Sequence, residues 1–247
     1  MNDLTSLYIG TSGFSYSDWK GDFYPQDLVD EDQLEYYVKH FDTVELNNTF
    51  YQLPPEKTFT GWRKRSPDDF LFSVKVSRFI THRKYLKDCS EAWQKFYQRA
   101  QALKENLGPF LIQLPPRWTQ NLERIENFVE ILKKTSPEEL FAFEFRDESW
   151  FEKSIIDFFK QQDNITLCIA DSQKWPSIKE VTGNFAFIRL HGPGKVYRSK
   201  YSKQELQKWA EKIEGFLNQN LDVYCYFNND FEGYAIKNSK TLLKLIK

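Results

Sequence analysis

The 247-residue chain is long enough for one large domain or two small ones, and long enough to bury most of its apolar surface in one core. Its 34 Lys and Arg against 35 Asp and Glu leave a net charge of −1, so no overall basic field points to nucleic acid, although a local basic patch stays open. No run reaches the roughly 18 apolar residues of a membrane-crossing helix, and Met1-Asn-Asp-Leu-Thr-Ser6 lacks the basic and apolar regions of a signal peptide, so a cytoplasmic chain without a membrane partner is expected.

Aromatic residues make up 17% of the chain, which predicts a Phe-rich core ahead of a stacking surface. The three cysteines show no C-x-x-C spacing. Cys168 and Cys225 sit in apolar runs and read as buried thiols of a reducing compartment.

Residues 7–11 form a short apolar strand that ends in Thr11-Ser-Gly13, followed by a loop with Trp19 and Tyr24-Pro25. Leu34, Tyr37, Val38 and Phe41 give residues 30–40 a helical spacing. Residues 43–47 are a second strand, with Thr43, Glu45 and Asn47 on one face. A helix with Pro in its first turn covers 55–65. Residues 70–76 make a third strand, on which Ser73 and Lys75 share a face, and its loop carries Arg78, His82 and Arg83. Ser90 caps a long helix ending near Asn106. Residues 108–114 form a fourth strand with Gln113, stopped by Pro115-Pro116 and followed by Arg117-Trp118. Leu122, Ile125, Phe128, Val129 and Leu132 form a helix stripe.

Residues 141–150 show the design most clearly. Phe141, Phe143 and Phe145 point one way, Ala142, Glu144 and Arg146 the other, and Ser149-Trp150 open an amphipathic stretch through Phe151, Ile155, Phe158 and Phe159. A sixth strand, 165–170, ends at Asp171-Ser172. The seventh, 185–191, places Phe187, Arg189 and His191 on one face. A basic, aromatic loop at 197–201 leads to a helix over 202–217 with a Ser202/Glu205 capping box. The eighth strand, 221–227, runs into Asn228-Asn-Asp230, and a helix over 235–246 closes the chain.

Strands alternating with helices imply parallel pairing through crossovers. Eight such units in about 250 residues predict an α/β chain folded as a single (β/α)8 TIM barrel over residues 1–247. The alternative, a doubly wound open sheet, is disfavoured because no G-x-G-x-x-G follows the first strand.

Several stretches, taken together, resemble the YecE-like family, domain-of-unknown-function family 72. They are Gly10-Thr-Ser-Gly13 with Trp19 and Phe23-Tyr-Pro25; Glu45-Leu-Asn-Asn-Thr-Phe-Tyr51; Phe72-Ser-Val-Lys75 with Ile80-Thr-His82; Gln113-Leu-Pro-Pro116; Glu144-Phe-Arg146 with Ser149-Trp150; Arg189-Leu-His-Gly192; and Tyr226-Phe-Asn-Asn-Asp230. The resemblance implies a (β/α)8 barrel and no particular activity. Two positions depart from the family pattern: Phe14 stands where Trp is expected, and Asp147 where His is frequent, which removes one proton carrier beside Arg146.

Barrel chemistry sits at the C-terminal ends of the strands. The alternation projects Glu45, Asn47, Lys75, Gln113, Glu144, Arg146, Asp171, Arg189, His191 and Asn228 onto one converging surface, with Ser12, Trp19, Tyr51, Arg78, His82, Arg117 and Trp118 at its rim. The plain alternative is a buried salt-bridge network, costly to bury without a function. The expected function is acid–base chemistry on a phosphorylated or sugar-like anion by a hydrolase, lyase or isomerase without a nucleotide cofactor. Glu45 or Glu144 is the expected base, His191 the acid, and Lys75, Arg146 and Arg189 the clamps for a small anion such as phosphate or sulfate. A divalent metal on Glu45, Glu144, Asp171 and His191 is the lesser option, because the nearby cations would repel it. A second class is nucleic-acid binding or processing by Arg78, Arg83, Lys84, Arg117, Lys195, Arg198 and Lys200, with Trp19, Trp118 and Tyr201 as stacking surfaces. A third is non-catalytic ligand binding.

Overall fold

Short β-rich runs alternate with helices from one end of the chain to the other in the computed structural model, which describes residues 5–246. Residues 1–4 and 247, and with them most of the N-terminal stretch that lacks signal-peptide character, lie outside the described residues. In order the elements are β1 (Leu7–Thr11), α1 (Gln33–Tyr37), β2 (Thr43–Leu46), α2 (Asn48–Tyr51), α3 (Glu56–Lys64), β3 (Leu71–Lys75), α4 (Ser90–Ala100), β4 (Leu107–Gln113), α5 (Leu122–Thr135), β5 (Phe141–Glu144), α6 (Lys153–Lys160), β6 (Ile165–Leu167), β7 (Ile169–Asp171), β8 (Phe185–Leu190), α7 (Lys203–Leu217), β9 (Asp222–Phe227) and α8 (Tyr234–Leu245). No helix among the described residues is long and apolar enough to cross a membrane.

Every strand pairing is parallel. The strands form two sheets, ordered β1-β9-β8-β7 and β2-β3-β4-β5-β6. The sheets meet where Ser12 bridges Glu45 and the Gly13 N–H donates to the Glu45 carbonyl at 2.8 Å. Gly10 permits this approach: a Cβ there would lie 2.2 Å from the Thr43 carbonyl oxygen.

The period-two alternation divides the strand side chains between two apolar clusters. Val44, Val74, Ile112, Phe143, Ile188 and Val223 join the large core shared with the helices. Leu111, Ala142, Ala170, Phe187, Tyr224 and Tyr226 form a smaller cluster on the opposite face. At the C-terminal ends of the strands that second face turns polar, with Glu45, Lys75, Gln113, Glu144 and Arg189 all buried.

Three predicted elements differ from the structure. The sixth strand is split at Cys168, whose N–H donates to Phe143 in one sheet while β7 pairs with β8 in the other. Side chains of the following loop compete for its backbone: Thr182 Oγ1 accepts from the Leu167 N–H and Ser177 Oγ from the Ala170 N–H, each at 2.8 Å. The helix expected to reach Asn106 ends at Ala100 and tightens into a 3-10 turn, where Asn106 donates to the Pro67 and Phe70 carbonyls. The strand expected from Phe141 stops at Glu144, and Asp147 caps a 3-10 turn over Glu148–Phe151. The Ser202/Glu205 capping box forms at the start of α7, and all three cysteines are free and buried.

Candidate functional site

Parallel strands end along a common edge, so the last inward residue of each meets its counterparts from the others. Glu45 from β2, Glu144 from β5 and Arg189 from β8 converge there, each at most 1% exposed. Arg189 grips Glu45 with Nε to Oε2 at 2.8 Å and Nη2 to Oε1 at 2.7 Å, and donates from Nη1 to Glu144 Oε2 at 2.5 Å. Ser12 Oγ donates to Glu45 Oε1, and Arg146 Nε to Glu144 Oε1, both at 2.8 Å. Burial by itself raises the Glu144 pKa, but Arg189 and Arg146 reverse this and hold the carboxyl well below the usual carboxylate range. Burial likewise opposes the charge on Arg189, and Glu45 and Glu144 restore it.

These contacts reassign three residues. Both oxygens of Glu144, the expected base, accept from arginines, Oε2 from Arg189 and Oε1 from Arg146. Both oxygens of Glu45 are engaged as well. Arg189 has its fork closed on carboxylates inside the protein, leaving it no free edge for a ligand.

His191, 0% exposed, lies beneath Trp175 and Tyr197, with ring centroids 5.7 and 5.6 Å away. The Asn228 amide satisfies its neighbours when its oxygen accepts from Arg189 Nη2 at 3.1 Å and His191 Nδ1 at 3.2 Å, and its nitrogen donates to Asp230 Oδ1 at 3.2 Å. That orientation makes His191 the Nδ1–H tautomer. Its Nε2 then carries a lone pair, is buried without a hydrogen bond, and lies 3.8 Å from Glu144 Oε1. Burial pushes its pKa well below the ordinary histidine value, with Glu144 opposing. The ring is therefore neutral, an acceptor where the sequence suggested an acid.

Beside this network opens a cleft of about 460 Å³, lined by Phe50, Tyr51, Lys75, Arg78, His82, Arg83, Gln113, Arg146 and Tyr197, with no carboxylate in the lining. The Lys75 amine lies 4.3 Å from the Phe50 ring centroid and has no hydrogen bond or ion pair among the described residues. Burial, reinforced by Arg189, pushes its pKa down to about 7 against the pull of Glu45 and Glu144. The Arg146 guanidinium stacks 3.8 Å from the Trp175 ring centroid, and its Nη groups have no protein partner among the described residues. His82 Nδ1 lies 2.8 Å from Thr81 Oγ1 and its Nε2 3.4 Å from Gln113 Nε2. Burial, then Lys75, Arg146 and Arg78, push the His82 pKa down to about 4.

Other expected site residues lie elsewhere. Asp171 accepts from the Tyr201 hydroxyl at 2.8 Å and lines a separate cleft of about 430 Å³ with Trp175, Lys208 and Trp209. Asn47 borders a hollow of about 190 Å³ with Gly13 and Tyr16. Trp19 is not at the rim: it is 0% exposed and donates to the Asp230 carbonyl at 3.0 Å, tying the first loop to the last. Trp118 packs half-buried on Trp150 and Tyr85, and Arg117 is exposed and outside the cleft lining. Tyr201, expected to stack on bases, is buried. The donors weighed for a divalent metal are engaged by Arg189, Tyr201 and Asn228, and among the described residues no three His, Cys, Asp or Glu side chains gather as a metal-holding group.

Phe50, Trp175, Tyr197 and Asp230 also belong to this region, beyond the residues the sequence projects onto the site. Burial pushes the Asp230 carboxyl up to about 7 while Arg189 pulls it down. Its signal is the polar Asn228-Asn-Asp230 run at a strand end; Phe50 sits on the short helix α2 and Trp175 and Tyr197 on loops, all outside the strand alternation.

The profile of the family described as "Protein of unknown function DUF72" matches residues 8–247. The UPF0759 protein YunF of Bacillus subtilis is 26% identical over 97% of this chain and 94% of its own length. A DUF72 family protein of Thermotoga maritima superposes with a TM-score of 0.85 at 30% identity, covering 97% of this chain and 98% of that one. One from Enterococcus faecalis reaches 0.81 at 22% identity over 97% and 95%, a likeness in fold.

Proposed function

Because the chain belongs to the DUF72 family, whose description leaves function open, we propose from the site itself that the protein is an enzyme acting on a small anionic, sugar-phosphate-like or carboxylate substrate. One observation carries this reading. Lys75, Arg78, Arg83 and Arg146 surround the 460 Å³ cleft with no carboxylate in its lining, while Glu45 and Glu144 lie behind it, engaged by Arg189 and, through its Nε, by Arg146. Arg78 and Arg83 have no carboxylate partner among the described residues, so the cleft keeps unbalanced positive charge, which suits a phosphate or carboxylate group. Arg146, through its two Nη groups, is the clamp in this scheme, and Arg78 and Arg83 add charge. The reading includes a closed (β/α)8 barrel in which β6 and β7 count as one strand. The contact of Gly13 with Glu45 and that of Cys168 with Phe143, one at each junction of the two sheets, support closure. In such barrels the C-terminal strand ends carry the chemistry.

Thermal unfolding with added phosphate, sulfate or glycerol 3-phosphate tests the cleft, since a ligand of the native state raises the midpoint by mass action. A concentration-dependent rise in wild type, and a much smaller one in Arg146→Gln, is expected. No rise with any of these anions would refute the reading.

A second reading, single-stranded nucleic-acid binding, is favoured by a different observation. Tyr51, Phe79 and Tyr85 are 68%, 45% and 39% exposed, close to Arg78 and Lys84, an interleaving suited to base stacking. Oligonucleotide binding measured by fluorescence anisotropy should then fall steeply with salt. Undetectable binding at low salt would remove this reading.

A further inference from the structure

We propose that Lys75 is a nucleophile that forms a Schiff base with the carbonyl group of a small anionic oxo compound, either a 2-oxo acid or a phosphorylated aldehyde or ketone. The proposal rests on the anion-binding reading of the cleft and adds a covalent step to it. Lys75 ends β3, is 9% exposed and lines the cleft. A buried lysine is ordinarily paired with a carboxylate. Lys75 has two within electrostatic reach, Glu45 on β2 and Glu144 on β5, yet neither bonds to it, because Arg189 on β8 engages both. Arg146, Arg78, His82 and the buried His191 are the other charged or titratable groups around it, and its amine lies over the aromatic face of Phe50.

An amine in this setting is a free base to a substantial degree at neutral pH, whereas an ordinary lysine, with a pKa of about 10.4, is almost wholly protonated. Desolvation and a neighbouring cation are the conditions that activate lysine toward carbonyls. Arg146 and Arg78 stand beside it to hold an anionic group on the same molecule. The two kinds of side chain together, one open amine and a set of cations, specify a carbonyl compound that also carries a phosphate or carboxylate.

In the covalent step the Nζ lone pair attacks the carbonyl carbon, and the carbon–oxygen π pair moves to oxygen, which takes a proton from the nitrogen. The hydroxyl of this carbinolamine takes one further proton from solvent and leaves as water while nitrogen forms the C=N bond. Amine, carbonyl and one proton give a protonated imine and water, with no change of oxidation state.

The test uses the whole chain with sodium borohydride, which reduces an imine to a stable secondary amine. Probes are pyruvate and dihydroxyacetone phosphate, which separate the two sources of the anion, with neutral dihydroxyacetone as the control. Intact mass and peptide mapping should show one adduct, on Lys75, at about tenfold or more the labelling of any other lysine, as its free-amine fraction predicts. Inorganic phosphate should suppress it, and Lys75→Met should lack it. Adducts spread evenly over many lysines, or equal labelling by the neutral control, would overturn the proposal. So would an absence of adduct in wild type, which needs no variant to fold. If phosphate, sulfate or unreactive glycerol 3-phosphate still raises the unfolding midpoint in that case, the anion cleft stands and only the covalent step fails; if none does, both fail.

Discussion

Replacing Lys75 by Met should make the protein more stable at neutral pH. Methionine has a similar length, fits against Phe50 and needs no solvation. The wild-type amine is pushed from 10.5 down to about 7 on folding. At about 1.36 kcal/mol per pKa unit, the folded state carries a penalty on the order of 5 kcal/mol relative to an exposed lysine, and Met removes it. The sign follows from proton counts. The folded pKa lies below the unfolded one, so between about pH 7 and 10.5 the unfolded chain holds more protons, and wild-type stability from this group rises with pH across that window. The advantage of Lys75→Met should therefore be greatest at pH 7 and below, and shrink toward zero as pH approaches 10.5. Urea unfolding of both proteins at several pH values, with m-values compared to confirm that the same transition is being followed, reads this directly. A variant less stable than wild type at pH 7, or a gap that stays constant with pH, would refute the argument that Lys75 is an uncompensated buried amine.

Arg189→Lys keeps one charge but loses the fork that binds Glu45 and Glu144 together, so it should destabilise the fold by about 3–5 kcal/mol, as breaking a buried pair does; a loss under about 1 kcal/mol in urea unfolding would count against the network. Gly10→Ala should be strongly destabilising or fail to fold, because its methyl group would meet the Thr43 carbonyl; circular dichroism and thermal unfolding unchanged from wild type would show that β1 and β2 do not lie so close.

Much of the fold was legible because its signals are local. Alternation along Phe141–Glu144 places Phe141 and Phe143 on one face and Glu144 on the other, and the same period along Phe185–Leu190 sets Arg189, with Phe185 and Phe187, opposite Ala186, Ile188 and Leu190. Crossover logic then requires parallel pairing, which the registers show. The failures have non-local causes. Ser177 and Thr182 split the sixth strand by reaching back to its backbone from a later loop, and no periodicity encodes that. Trp19 looked like a rim residue because it follows a strand end, yet its partner is the Asp230 carbonyl, 211 residues away.

The same distinction explains why the list of charged residues was easier to read than their roles. Sequence placed Glu45, Lys75, Glu144, Arg146 and Arg189 at strand ends, where the charges nearly balance. It did not show which cation takes which anion, because Arg189 and Glu45 are 144 residues apart. That choice determines the character of the site. Had Lys75 taken one of the carboxylates, it would be held as an ammonium ion, and Arg189 would have an open edge toward a ligand. Instead the arginine, whose planar fork matches two carboxylates at once and whose charge is not lost on burial, closes the buried pairs. The lysine, whose charge yields more readily to desolvation, is left at the cleft without a counterion. Arginine's preference for the two carboxylates thus leaves, in the lining of the adjoining cleft, a buried amine with no counterion among the described residues.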